Sequence, residues 1–142
     1  MITIALPDTN ITKYIPQRAP VIMVHELLES DGKSTLTSFT VQEGALFVAE
    51  GVLKEPGLIE NIAQTAAAGA GYQFAIKEQP VPPGFIGAVK NLRISALPFV
   101  GQQLFTRVEI LEEVFGITLI KGEITIADTM IASCEMKIVL KQ

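Results

Sequence analysis

The sequence predicts an α+β fold in which an antiparallel sheet of about six strands wraps around one long helix. Three observations point there. In LIENIAQTAAAGAG and its flanks, Ile59, Ile62, Ala63, Ala66, Ala67, Ala70 and Phe74 recur at spacings of three and four, the period of a buried helix face. The second half of the chain carries strand-like runs separated only by short turns. In the last of them, Ile131, Ser133, Glu135, Lys137 and Val139 alternate with Ala132, Cys134, Met136, Ile138 and Leu140, as expected for a sheet with one covered face.

Each element follows in order. Asp8-Thr9-Asn10 before ITKYI reads as a capped start for one or two helical turns, ended by Pro16. VIMVHELLES is apolar and β-branched enough for a strand. The Asp31-Gly32 turn then joins it to STLTSFTV as a hairpin. Residues 43–56 read as irregular, punctuated by Gly44, Gly51 and Pro56. Pro56 suits the first position of a helix, predicted to run from about Gly57 to Lys77. Glycine in a helix interior costs about 1 kcal/mol, so Gly69 and Gly71 imply that another element, expected to be the sheet, passes very close. KEQPVPPG breaks the chain. Strands are then predicted at about Phe85 to Ser95, Gln103 to Val114, Ile117 to Ala127 and Met130 to Leu140, with turns at Phe115-Gly116 and Ala127-Asp128.

Composition narrows the function. A chain of 142 residues with 49% hydrophobic and 18% charged residues fits one domain, 1–142, with a full core. A net charge of -4 with eleven scattered Lys and Arg argues against nucleic acid. The single cysteine, Cys134, cannot form an internal disulfide and reads as a packed small residue. The N-terminus does not read as a signal peptide, and no run approaches the roughly 20 apolar residues of a membrane span, so a cytoplasmic protein is expected. No His/Cys/Asp cluster has metal-ligand spacing and no phosphate-binding glycine loop occurs, so no metal or nucleotide cofactor is expected. The mean hydropathy of +0.40 favours burial of a further face in an oligomer.

Three segments together resemble a known family. IPQRAPVIMVHELLE is similar to an opening Pro-His-Arg-x-Pro stretch, with Pro16, Arg18 and Pro20 in place. ENIAQTAA resembles a Glu-Ala-x-Ala-Gln-x-Ala helix through Glu60, Ala63 and Gln64. VKNLRISALPFVGQQL resembles Lys-x-x-Arg-Phe-x-x-Pro-Val-x-Pro-Gly-Asp-x-Leu through Arg93, Gly101 and Leu104. These are the marks of the hotdog-fold 3-hydroxyacyl-[acyl-carrier-protein] dehydratases of fatty acid and polyene synthesis. The chain departs from them at one place. Where the family carries a histidine in Gly-His-Phe-Pro-Gly, it reads LFVAEGVLKEPGLIE, with Glu50 near the vacant position. It thus looks like a divergent branch, similar to the dehydratase-like proteins of aryl-polyene and flexirubin clusters.

The resemblance implies that Glu60 is the acid that protonates a departing 3-hydroxyl, a role favoured by a dry, apolar pocket, and that Gln64, one turn on, orients it. Without the resemblance, Glu60 reads as a first-turn glutamate facing the helix dipole, and Gln64 as a buried glutamine satisfying backbone groups. Gly57, at the helix N-terminus, is a candidate to polarise a thioester carbonyl through free N–H groups, or simply part of the connection before the helix. Glu50 is expected to be an exposed loop residue and His25, the only histidine, a strand residue near the surface or at a dimer contact. Arg18, Lys90 and Arg93 are candidates for a basic patch toward an acidic carrier.

The implied partners are acyl carrier protein or an acyl-CoA thioester, and a second hotdog subunit in a homodimer or in a heterodimer with a His-containing homologue. The leading function is dehydration of 3-hydroxyacyl thioesters with that histidine lent by the partner. Two alternatives remain: an acyl thioesterase using Glu60, and a non-catalytic acyl-binding or scaffold protein.

Overall fold

A computed structural model describes residues 1–141. A short 3₁₀ turn, Ile11–Lys13, precedes strands β1 (Glu26–Ser30) and β2 (Ser34–Thr40). A small hairpin, β3 (Val48–Ala49) and β4 (Val52–Leu53), leads into helix α1 (Glu55–Ile76). Strands β5 (Gly84–Ile94), β6 (Gln103–Val114), β7 (Ile117–Ile126) and β8 (Thr129–Leu140) complete the chain. The six long strands form one antiparallel sheet in the order β1-β2-β6-β7-β8-β5, with α1 packed across it.

Turn chemistry fixes the register. Asp31 Oδ1 accepts from the N–H groups of Lys33 at 2.9 Å and Ser34 at 2.7 Å, closing the β1–β2 hairpin as an Asx turn. Phe115 and Gly116 join β6 to β7 with φ of 50° and 78°, the paired left-handed conformations of a tight hairpin turn. The predicted first strand is shorter than expected. Residues 22–25 fall outside β1: helix side chains take the Met23 N–H and carbonyl, as described below, and of this stretch the His25 N–H bonds β2, through the Ser38 carbonyl at 2.8 Å.

The helix begins two residues before the predicted Gly57 and ends one before the predicted Lys77. It begins at Glu55, so Pro56 takes the second helical position, where its missing N–H still leaves no bond unmade. Before Pro80 it ends at Ile76. Leu58 and Ile62 are buried in the main core with Leu104, Ile120, Ile124 and Met136. Gly122 on β7 makes room for Ile62, since a side chain there would strike it. The alternation in β8 is observed: Cys134 and Met136 are buried while Lys137 and Val139 are exposed. Burial pushes the Cys134 thiol up to about 11, so it is an inert packed residue.

The small residues of α1 divide by face. At Gly69 the close neighbour is Thr35 of β2, as expected of a sheet passing nearby. At Gly71 it is not the sheet but the backbone carbonyl of Tyr14, from the segment after the 3₁₀ turn. The alanines serve a different purpose, treated next. No helix among the described residues is long and apolar enough to cross a membrane.

The two sheet edges differ. β5 pairs only with β8, which leaves one side of an eleven-residue strand without a partner. Phe85 is 58% exposed and Leu92 41% exposed on that strand. Long apolar edges invite pairing with another chain.

Candidate active site

Glu60, Ala63, Ala67, Ala70, Phe74 and Lys77 follow one another at three- and four-residue steps, so they share one face of α1. That face does not touch the sheet tightly. It borders a cavity of about 670 Å³, closed on the other side by Val108 of β6, Ile120 of β7 and Ile138 of β8. The alanines are therefore small because a larger residue would fill the cavity. From Glu60 to Lys77 the stripe runs about 25 Å along the helix. Glu60 marks one end of the stripe, and exposed Lys77 the other. A long, mainly apolar slot whose wall also carries the Glu60 and Glu113 carboxylates suits an acyl chain with a polar reacting end.

Glu60 is half-buried and held in place. Gln64 donates from Nε2 to Glu60 Oε1 at 2.8 Å. The same Nε2 donates to the Val21 carbonyl at 2.8 Å, and Gln64 Oε1 accepts from the Met23 N–H at 2.6 Å. Gln64 is fully buried, with its Nε2 bonded twice and its Oε1 once. Gln64 thus satisfies backbone groups and, through the same Nε2, holds the Glu60 carboxylate in place.

Asn61 was not singled out in the sequence, yet it completes this lock. Its Nδ2 donates to the Met23 carbonyl at 2.7 Å, and its Oδ1 accepts from Thr106 Oγ1 of β6 at 2.6 Å. Thr65 donates to the Asn61 carbonyl at 2.8 Å and bonds Thr37 of β2 at 2.7 Å. Four polar side chains at zero exposure, Asn61, Gln64, Thr65 and Thr37, tie the helix to the 21–23 segment and the sheet. The available signal was the polar spacing Asn61, Gln64, Thr65 inside an otherwise apolar helix.

The other candidates lie elsewhere. Gly57 is buried in the first turn, where a side chain would strike Leu53 and Phe47. Its N–H donates to the Lys54 carbonyl at 2.9 Å, and it does not border the cavity. The donor expected to be free for a thioester carbonyl is therefore paired, and close packing accounts for the glycine. Glu50 is exposed at the β3–β4 turn and absent from the cavity wall. His25 stands just ahead of β1, half-buried, its ring 4.5 Å from that of Phe39. Its Nδ1 accepts from the Thr40 N–H at 3.0 Å, and burial holds its pKa below the usual 6.5. It too is absent from the cavity wall. Arg18 is engaged by backbone, donating from Nη1 to the carbonyls of Ile15 at 2.7 Å and Gln17 at 2.8 Å. Lys90 and Arg93 lie exposed together on β5.

A helix lying across a curved antiparallel sheet, with an oriented carboxylate on the wall of an acyl-sized slot, is the architecture of the hotdog proteins. Within them, the chain belongs to the ApeP-like family: the model described as ApeP dehydratase matches residues 9–142. Among curated proteins it is 26% identical over 139 residues to the 3-hydroxyacyl-[acyl-carrier-protein] dehydratase FabZ of Coxiella burnetii, covering 90% of this chain and 94% of that one. Among solved structures it is similar to the dehydratase heterocomplex ApeI:P from Xenorhabdus doucetiae, with a TM-score of 0.87 at 17% identity over 97% of this chain and 93% of the other. A hypothetical thioesterase protein solved with coenzyme A from Streptococcus pneumoniae shares the fold at a TM-score of 0.65, with 9% identity over 82% of this chain and 84% of that one.

Proposed function

We propose that this chain is the acid-donating subunit of a two-chain dehydratase acting on 3-hydroxyacyl thioesters held by acyl carrier protein, in fatty-acid-like or polyene biosynthesis in the cytoplasm. One observation carries the reading. Glu60 is fixed by Gln64 on the wall of an apolar slot, in a chain whose single histidine is bound to Thr40 outside that slot. Removal of a proton from C2 needs a base, and a histidine from a second hotdog subunit supplies it. Glu60 protonates the 3-hydroxyl oxygen as the C3–O bond breaks. The electrons of the C2–H bond form the C2–C3 double bond, leaving an enoyl thioester and water.

The ApeI:P structure supports pairing with a second subunit, because that relative is a heterocomplex of dehydratase chains. The unpaired β5 edge, with Phe85 and Leu92 exposed, offers the surface for it. The FabZ relative supports a carrier-protein substrate.

The test is an assay of 3-hydroxyacyl-carrier-protein with the chain alone and with a His-bearing hotdog homologue. Enoyl product from the mixture only, without thiol release, is the expected result. Full turnover by the chain alone removes the need for a partner. Thiol release without enoyl product makes it a thioesterase, and binding of acyl carrier protein without turnover makes it a scaffold.

A further inference from the structure

A polar brace joins the helix to the sheet without touching the slot. Thr37 of β2 and Thr106 of β6 stand directly opposite one another in the sheet. Both hydroxyls reach α1. Thr106 donates to Asn61 Oδ1 at 2.6 Å, and Thr37 bonds Thr65 at 2.7 Å, which in turn donates to the Asn61 carbonyl at 2.8 Å. The brace therefore closes on Asn61, the residue next to Glu60. All four side chains are buried, and none borders the cavity.

Apolar packing alone gives this part of the helix little hold. From Ala63 to Gly71, α1 carries no apolar side chain larger than a methyl group, so it has no ridge to seat in the sheet. Ile62 seats at Gly122, but apolar burial is non-directional, whereas hydrogen bonds fix angle as well as distance. Stability does not demand the brace, since replacing both partners of a buried bond by apolar groups of the same shape is nearly neutral. The hold matters because the two walls of the slot belong to different elements. Glu60 projects from α1, while Val108, two residues beyond Thr106 on the same face of β6, belongs to the opposite wall. A shift or roll of the helix over the sheet moves the acid relative to anything lying on that wall.

We propose that Thr106 and Thr37 are positioning residues for dehydration. Through Asn61 and Thr65 they set the height and roll of α1 over the sheet, and with them the distance from Glu60 to the 3-hydroxyl of the bound thioester. This rests on the function proposed above, in which the acyl chain occupies the slot and Glu60 delivers the proton. Proton transfer is sensitive to that distance, a misplacement of about 1 Å costing about 10²-fold. An apolar chain in the slot is held by buried area and is far less sensitive.

The test is steady-state dehydration of 3-hydroxyacyl-carrier-protein by the complex with its His-bearing partner, for Thr106→Val, Thr37→Val and the two matching serine variants. Valine keeps the shape and removes the hydroxyl; serine keeps the hydroxyl. Each valine variant is expected to lose about tenfold in kcat with KM within about twofold, the pattern of an interaction expressed in the transition state. Serine is expected to recover most of the loss. Should Thr106→Val, which orphans Asn61 Oδ1, fail to fold, Thr37→Val decides, because Thr65 keeps its bond to Asn61. A folded valine variant with kcat within about twofold of wild type overturns the proposal. So does a change in KM as large as that in kcat, or a loss that serine does not recover, since either marks packing rather than placement. If the wild-type complex forms no enoyl product, the dehydratase reading falls and this role with it. An active wild type with indifferent valine variants strikes the role alone.

Discussion

Gln64 donates to Glu60 at 2.8 Å while its other bonds fasten the Val21 and Met23 backbone to α1. One buried amide therefore both fixes the Glu60 carboxylate and anchors the segment that precedes β1. Gln64→Leu should act on both. It orphans the Met23 N–H and the Val21 carbonyl, each a loss of about 1–3 kcal/mol in unfolding free energy. It should also lower dehydration about 10- to 100-fold, since small displacements of a catalytic group are costly. Chemical denaturation and steady-state kinetics of the complex measure the two effects. A variant of normal stability and activity would remove Gln64 from both roles.

Gly71 gives a prediction whose sign is contested. Helix propensity alone says Gly71→Ala gains about 1 kcal/mol. The Tyr14 carbonyl occupies the space a methyl group would need, and backbone cannot swing aside as a side chain can. Overpacking costs about 1–3 kcal/mol or more, so the net change should be destabilising. A melting temperature above wild type would show that the close approach relaxes freely.

The alanine stripe should behave in the opposite way. Ala67 borders the slot, so Ala67→Phe has cavity to fill and should leave stability within about 1.5 kcal/mol. It should shorten the acyl chain that the complex accepts, with loss of turnover growing with chain length. Equal loss at every length would mean that the chain does not run along this face.

His25 predicts a pH dependence. Burial depresses its folded pKa below 6.5, and the Thr40 N–H occupies Nδ1, so the folded state resists protonation. The unfolded chain begins to take up the proton as pH falls through about 6.5, and stability declines from there down to the folded value. Above that window His25 has no effect on the pH profile. His25→Gln should flatten the profile as pH falls below about 6.5 when melting temperature is followed. An unchanged slope would assign the acid sensitivity to other groups.

Most of the fold was legible in the residues. The period of α1, the turns at Asp31-Gly32, Phe115-Gly116 and Ala127-Asp128, and the alternation of β8 are local signals, and local chemistry decides them. The missed features are those set by distant partners. Residues 22–25 look like strand, but Asn61 and Gln64 take the Met23 backbone groups that a strand would have paired. The β3–β4 hairpin is two residues a side, too short to show a period. Glu60 and Gln64 were visible through their helical spacing, whereas the role of Asn61 depends on Thr106, 45 residues away. Gly57 illustrates the reverse: its position at a helix start is legible, but the bond from its N–H to Lys54 is not.

The central claim is that Glu60 supplies the acid to a site completed by another chain. The direct measurement is dehydration of 3-hydroxyacyl-carrier-protein by the purified complex with a His-bearing partner, comparing wild type with Glu60→Gln at equal thermal stability. A fall of about 10²- to 10⁴-fold in kcat, the range for loss of a general acid, is the predicted result. Activity within about twofold of wild type would contradict it, and would place the acid on the partner or on another residue of the slot.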